Sequence, residues 1–199
     1  MTPPSTTWAG TLLPTDPPAE AELAFLDSPP GVRTLVAWGN MTTRSLLRTA
    51  NKVLHMTGLA DVKTIVMVIG SQAGELDALA EAVWVLDQAR LTVQVVAHVH
   101  VAGGPAVGLV MHCDEVVARP QAQIGGLAGT WRGEQHGRNT DATARYLDLL
   151  YDRRPSVAWE RLLCHSVTGE AAEHLGIVDR LDHSVDRVMA HYRREACRD

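Results

Sequence analysis

His98 and His100 stand two apart in the apolar run from Val93 to Val101. On an extended strand that spacing aims both imidazoles at one face. Imidazole titrates near neutrality, so the pair can serve as a general base or grip a substrate. The same spacing also suits two neutral, hydrogen-bonded histidines of a core or a subunit contact. Ala102 and Gly104 extend the alternation, which predicts that His100 borders the Gly103-Gly104-Pro105 turn. That turn sits where a strand passes into a short apolar helix, a layout able to present a nucleophile. Here it offers no hydroxyl and no thiol, and Pro105 removes one backbone N–H.

A second polar concentration lies between glycines from Gly129 to Arg138. Glu134 and His136 suit acid/base work there, and Trp131 and Arg132 suit gripping a ligand. A loop of this kind can close over a pocket, or lie exposed at a subunit contact. Ser71 carries the one hydroxyl of the Gly70–Gly74 turn; its candidate roles are substrate contact and, preferred here, turn stabilisation. His112 is separated from the other histidines by a helix, so no metal set is expected. Cys113 reads as a small buried hydrophobe. Neither a cofactor nor a metal is expected.

The elements that must carry these groups alternate. Thr34–Gly39 and Thr64–Ile69 read as buried strands. A helix capped by Thr42 or Thr43 runs to about Met56 and stops at Gly58. Glu75–Arg90 reads as an amphipathic helix with Leu76, Leu79, Ala80, Val83 and Leu86 on its apolar face. A strand from Glu115 ends at Pro120. Helices follow from Asp141 to about Asp152 and over Val157–Cys164. A capped helix then spans Thr168–Gly176, with a strand Ile177–Leu181 and a final helix from Ser184. The order predicts an α/β fold with a mainly parallel sheet flanked by helices. Residues 1–30, rich in proline, read as a flexible arm, although Ala19–Leu26 could make a helical turn or two. Residues 31–199 read as one domain.

Net charge is −5 and 21% of residues are charged, which gives no electrostatic case for nucleic acid or an anionic membrane. The three cysteines form no CxxC pair, and no signal peptide is evident, so a cytoplasmic setting is expected.

Three stretches taken together carry a resemblance. Ile65–Glu81, with its Gly-Ser-Gln-Ala-Gly turn, is similar to an Asn-Ser-Pro-Gly-Gly turn. Ala102–Gly125 follows, and Thr168–Asp179 is similar to a Ser-x-x-Glu-Ala-x-x-x-Gly-Leu-Val-Asp segment. Their order and spacing resemble the Clp-protease/crotonase superfamily over roughly residues 32–182, nearest to the ClpP proteolytic subunit. The resemblance implies a spiral α/β fold, and a homo-oligomer in the form of a trimer, hexamer or ring. It also leaves room for an active Clp paralogue as partner. It places the family's nucleophile on Gly104, its base on Leu127 and its aspartate near Cys164 or His165. The two oxyanion N–H groups fall on Ala73 and Pro105. The crotonase turn, Gly-Gly-Gly-x-Glu, would put its carboxylate at Gly108 and a later one near Ala128. No carboxylate stands at either position. The resemblance therefore implies a Clp-type subunit or binding protein without peptidase chemistry. The alternative is a repurposed crotonase-superfamily enzyme acting on a small molecule, with His98, His100 and the 129–138 loop in the same crevice.

Overall fold

The structure, a computed structural model, describes residues 18–127 and 140–196. Its framework is a seven-stranded sheet. Strands β1 (Glu22–Leu26), β2 (Val32–Trp38), β3 (Thr64–Ser71), β4 (Gln94–Gly103) and β5 (Glu115–Gly125) lie side by side in chain order. β6 (Ser166–Thr168) pairs with β5 antiparallel, and β7 (Arg180–Leu181) pairs with β5 parallel. The central pairs β2–β3, β3–β4 and β4–β5 are parallel, as the apolar runs predict. β1 is antiparallel to β2. Part of the expected flexible arm is therefore an edge strand, and the helical turn expected over Ala19–Leu26 is replaced by β1. The alternation of exposed and half-buried side chains over Glu22–Leu26 suits a strand at a sheet edge.

Helices α1 (Thr43–Thr57), α2 (Leu79–Arg90) and α3 (Pro105–Met111) cover one face of the sheet. Thr42 caps α1, its hydroxyl accepting from the Ser45 N–H, and Gly58 ends it. α2 begins at Leu79 rather than Glu75. Glu75 instead accepts a hydrogen bond from the Thr43 N–H at 2.8 Å, tying the turn after β3 to the start of α1. Ala80 faces solvent; the buried stripe of α2 is Leu79, Ala82, Val83, Val85, Leu86 and Ala89. The main core forms between these helices and the side chains of Leu35, Ala37, Ile65, Met67, Ile69, Val95, Ala97 and Val99. We call this the inner face. α6 (Val185–Ala196) closes the outer face with Val188, Met189 and Tyr192 against Val32, Val36, Val66, Val68, Val96 and Val117.

β5 runs through Pro120 to Gly125 rather than ending at the proline. The pairing with β4 shifts between Val99 and Val101, opposite residues 119–122 of β5, and a ladder irregularity is where a proline is tolerated. α4 (Thr140–Arg153) starts one residue before Asp141, which sits in the first turn rather than at the cap. The helix expected over Val157–Cys164 shortens to one 3₁₀ turn, Trp159–Leu162, followed by β6. α5 (Gly169–His174) is capped by the Thr168 hydroxyl, which accepts from the Ala171 N–H at 3.2 Å. The last expected strand is reduced to Arg180–Leu181. Among the described residues, no helix is long and apolar enough to cross a membrane.

Candidate functional site

The turn after β3 and the turn between β4 and α3 come together on the inner face. An ideal Cβ built on Gly103 would meet the Gln72 carbonyl oxygen at 2.4 Å, and one on Gly74 would meet Pro105 Cγ at 2.7 Å. Gly104 has φ +52°, the strained strand-to-helix geometry that projects a nucleophile in other enzymes. The turn itself carries no hydroxyl or thiol. Ala73, to which the resemblance assigned one oxyanion N–H, is half-buried, and among the described residues its N–H donates to no partner. Pro105, to which the resemblance assigned the other, has no N–H, and its ring packs beside Gly74. Loss of one such donor costs about 10²–10³ in rate.

The crevice is also filled from below. Tyr146 of α4 is buried, and its hydroxyl donates to the Gly104 carbonyl. Burial pushes this phenol far above the ordinary tyrosine range, so it is a neutral donor. A Cβ on Gly108 would meet Leu79 Cδ2 at 2.7 Å and Tyr146 Cε2 at 3.0 Å. The space beside Gly108, where the resemblance would put a crotonase carboxylate, is filled by a leucine and a tyrosine. Nothing in the sequence alone singled out Tyr146. It lies thirty-eight residues beyond Gly108 on an ordinary amphipathic helix.

The other positions to which the resemblance assigned triad residues lie as follows. Leu127 is fully buried in the main core. Cys164 is exposed and free, and no carboxylate stands at residues 164 or 165. Ser71 is buried and donates to the Ala73 carbonyl at 3.1 Å, so its hydroxyl holds the turn. Cys113 is buried, and burial raises its thiol pKa, which leaves it inert. Trp131, Arg132, Glu134 and His136 lie outside the described residues. Among the described residues, no group of three metal-ligating side chains exists.

His98 and His100 do share a face, with ring centroids 5.0 Å apart and planes nearly perpendicular. That face is the outer one, away from the crevice. His98 pairs in register with Val68 and Val117, both members of the outer cluster. The expectation that Ala102 continues their face fails at a bulge. Ile69 pairs with Val99 and Gly70 with Val101, so His100 is an extra residue in β4. One inserted residue reverses the alternation beyond it, and Ala102 packs in the inner core.

On the outer face the two imidazoles have defined roles. His98 is fully buried, and its Nε2 lies 3.2 Å from the Asp182 carbonyl. A carbonyl only accepts, so Nε2 carries the proton and Nδ1 is bare. His100 Nδ1 lies 3.5 Å from Arg119 Nη1. A guanidinium only donates, so His100 carries its proton on Nε2. Burial, together with the neighbouring cationic and imidazole groups, lowers the pKa of both; that of His100 falls to about 3. The pair is neutral near pH 7 and presents one acceptor and one N–H. Neither His98 Nδ1 nor His100 Nε2 has a partner, and the same holds for Arg119 Nε and Trp38 Nε1. Arg119 and Trp38 were not singled out as sequence candidates. Their only signal is parity, since each stands two residues beyond an outer-face valine (Val117 and Val36).

With this geometry in place, comparison with known proteins is informative about fold. No protein-family model matches the chain, and no curated protein matches it. Solved structures do. An enoyl-CoA hydratase from Shewanella pealeana ATCC 700345 superposes with TM-score 0.67 at 12% identity, covering 89% of this chain and 74% of that one. An enoyl-CoA hydratase/isomerase from Marinobacter aquaeolei gives 0.65 at 14% identity, covering 87% and 75%. DspI of Pseudomonas aeruginosa gives 0.64 at 16% identity, covering 89% and 80%. The chain has the crotonase-superfamily fold. At these identities the likeness extends to architecture alone. The crotonase-fold sheet, with strands bent at the register shift, is what separates the inner crevice from the outer histidines.

Proposed function

We propose that this crotonase-fold protein is a repurposed member of its superfamily that acts on a small molecule without thioester hydration or peptide hydrolysis. One observation carries the reading: the crevice lacks its second oxyanion N–H at Pro105 and is plugged by Tyr146, while unpartnered acid/base groups gather at His98 and His100. A neutral His100 offers an N–H to a substrate oxygen, and His98 Nδ1 offers a lone pair to a substrate proton. The sequence reading put these histidines and the 129–138 loop in one crevice. Here the histidines act from the outer face, and the loop carries no part of the argument. A homo-oligomer belongs to the same proposal. Trp84 and Leu91 are 63% and 78% exposed, the kind of apolar surface that subunit contact removes from water.

A Clp-type non-proteolytic subunit is the weaker reading. It rests on Gly104 standing where the resemblance puts a serine, and the structural likenesses to enoyl-CoA hydratases favour the small-molecule reading. The deciding experiment assays wild-type protein on an enoyl-CoA and on a casein or short-peptide substrate, then screens small metabolites by histidine NMR. The expected result is no hydration and no hydrolysis above buffer, with at least one metabolite moving the His100 ring signals. Robust hydratase or peptidase turnover, or labelling of a serine by a fluorophosphonate, would overturn the proposal.

A further inference from the structure

Arg119 is half-buried, yet no carboxylate lies within ion-pair distance of it among the described residues. Its neighbour on the same face, Arg180, contacts Glu115 at 2.6 Å and Asp182 at 3.7 Å. A partly buried guanidinium is ordinarily paired. Arg119 instead has a histidine at 3.5 Å and an unpartnered Nε.

Two further N–H donors accompany it. The Trp38 indole lies directly over Gly70 of the adjacent strand: a Cβ there would sit 1.7 Å from Trp38 Cε3. The absent side chain at Gly70 lets the ring cross β3 toward β4. Gly70 pairs with Val101, the residue that follows the His100 bulge. Trp38, Gly70, His100 and Arg119 thus form a row across β2, β3, β4 and β5 on one face. Trp38 Nε1, His100 Nε2 and Arg119 Nε are buried N–H groups without acceptors. Each such group costs about 1–3 kcal/mol while unmet. Fully buried His98 adds one bare acceptor, Nδ1.

We infer that this row binds a small oxyanion that also carries a hydroxyl, namely hydrogen phosphate, a phosphomonoester or a hydroxycarboxylate. Two N–H donors and a guanidinium match the several lone pairs of a carboxylate or phosphate. The hydroxyl meets His98 Nδ1. A cation is repelled by Arg119, and a neutral ligand leaves its charge unmatched. This inference names the ligand class for the proposed small-molecule site and rests on that reading.

The test uses the full chain with ¹³C,¹⁵N-labelled histidine, its ring signals assigned with H98Q and H100Q. Inorganic phosphate, lactate, acetate and acetamide are titrated separately. Phosphate or lactate is expected to move the His98 and His100 signals saturably, with Kd of about 1 mM or tighter. Acetate should bind more weakly and acetamide not at all; phosphate against lactate tells the two sources apart. R119Q should weaken binding about tenfold or more, with R119K restoring part of it. W38F and circular dichroism guard against a folding defect in R119Q: W38F keeps the charge and removes one donor, so a several-fold loss is expected. No shift with any oxyanion at tens of millimolar overturns the inference, as does equal binding by R119Q or by acetamide. If acetamide or another neutral metabolite moves His100 where oxyanions do not, the ligand class fails and the small-molecule reading stands. If no compound moves it, both fail.

Discussion

The two faces of the bent sheet treat their polar groups in opposite ways. On the inner face, at the crevice, the side-chain hydroxyls are matched, and the Ala73 N–H is the one unmet donor described there. Ser71 donates to Ala73, Tyr146 donates to Gly104, Pro105 has no N–H to satisfy, and apolar atoms fill the space beside Gly108. On the outer face, four buried nitrogens of Trp38, His98, His100 and Arg119 go unmatched. A site that has lost its reaction relaxes toward good packing, because unmet polar groups cost stability and nothing offsets the cost. A site that meets a ligand keeps donors unmet until the ligand arrives. The contrast is what supports the proposed site on the outer face.

The largest test of this contrast restores the carboxylate that the crevice lacks. In Gly108→Glu the new side chain enters a space where even a Cβ sits 2.7 Å from Leu79 Cδ2. Overpacking adds to the burial of an ionisable group, so the expected loss is about 3–5 kcal/mol, measured by urea unfolding. No hydratase activity should appear. A variant of wild-type stability that hydrates an enoyl-CoA would show the crevice to be open and the contrast to be false.

The second test titrates the outer face. Burial is the main cause that lowers the pKa of both His98 and His100. A histidine whose folded pKa lies below its unfolded value of about 6.5 binds more protons when unfolded. Its contribution is therefore complete above about pH 6.5 and is lost as pH falls toward the folded value. For His100, with a folded value of about 3, the loss reaches about 2 kcal/mol at pH 5. Urea unfolding at pH 7 and pH 5 should show this fall, and His100→Gln should remove most of it. His98, and His112 buried beside Asp87, also have lowered pKa values, so together they set the residual slope. An unchanged slope in His100→Gln would place that imidazole in water.

Much of this fold could be read in the chain. The apolar runs at Thr64–Ile69 and Val93–Val101 identify parallel strands because both faces are covered. Thr42, Gly58 and Thr168 mark helix ends through their capping chemistry. That the Gly103-Gly104-Pro105 turn carries no hydroxyl or thiol needed only the sequence. The direction of the histidines could not be read in the same way. A period of two holds only while the ladder is regular, and one inserted residue at His100 turns Ala102 to the other side. Tyr146 was invisible for a different reason: its contact with Gly104 joins segments forty-two residues apart, and no local pattern reports such a contact. Pro120 misled because a bulge tolerates it within a continuing strand.

The smallest effect separates two arginines on the outer face. Arg180 pairs with Glu115, whose other oxygen accepts from the Tyr192 hydroxyl, so it ties α6 to the sheet. Arg180→Gln breaks a matched, partly buried pair and should cost about 1–2 kcal/mol. Arg119 has no such partner, so Arg119→Gln removes an uncompensated, half-buried charge. In anion-free buffer it should be neutral or stabilising by up to about 1 kcal/mol. Adding phosphate should then reverse the order. A ligand that binds only the folded state stabilises wild type by about 1.4 kcal/mol at ten times its Kd, and Arg119→Gln, binding tenfold more weakly, by only about 0.4 kcal/mol. Thermal melts of wild type and both variants, with and without phosphate, read all three terms together. If Arg119→Gln is instead as damaging as Arg180→Gln without anion, Arg119 is a structural residue. The two faces would then differ only in how tightly they pack.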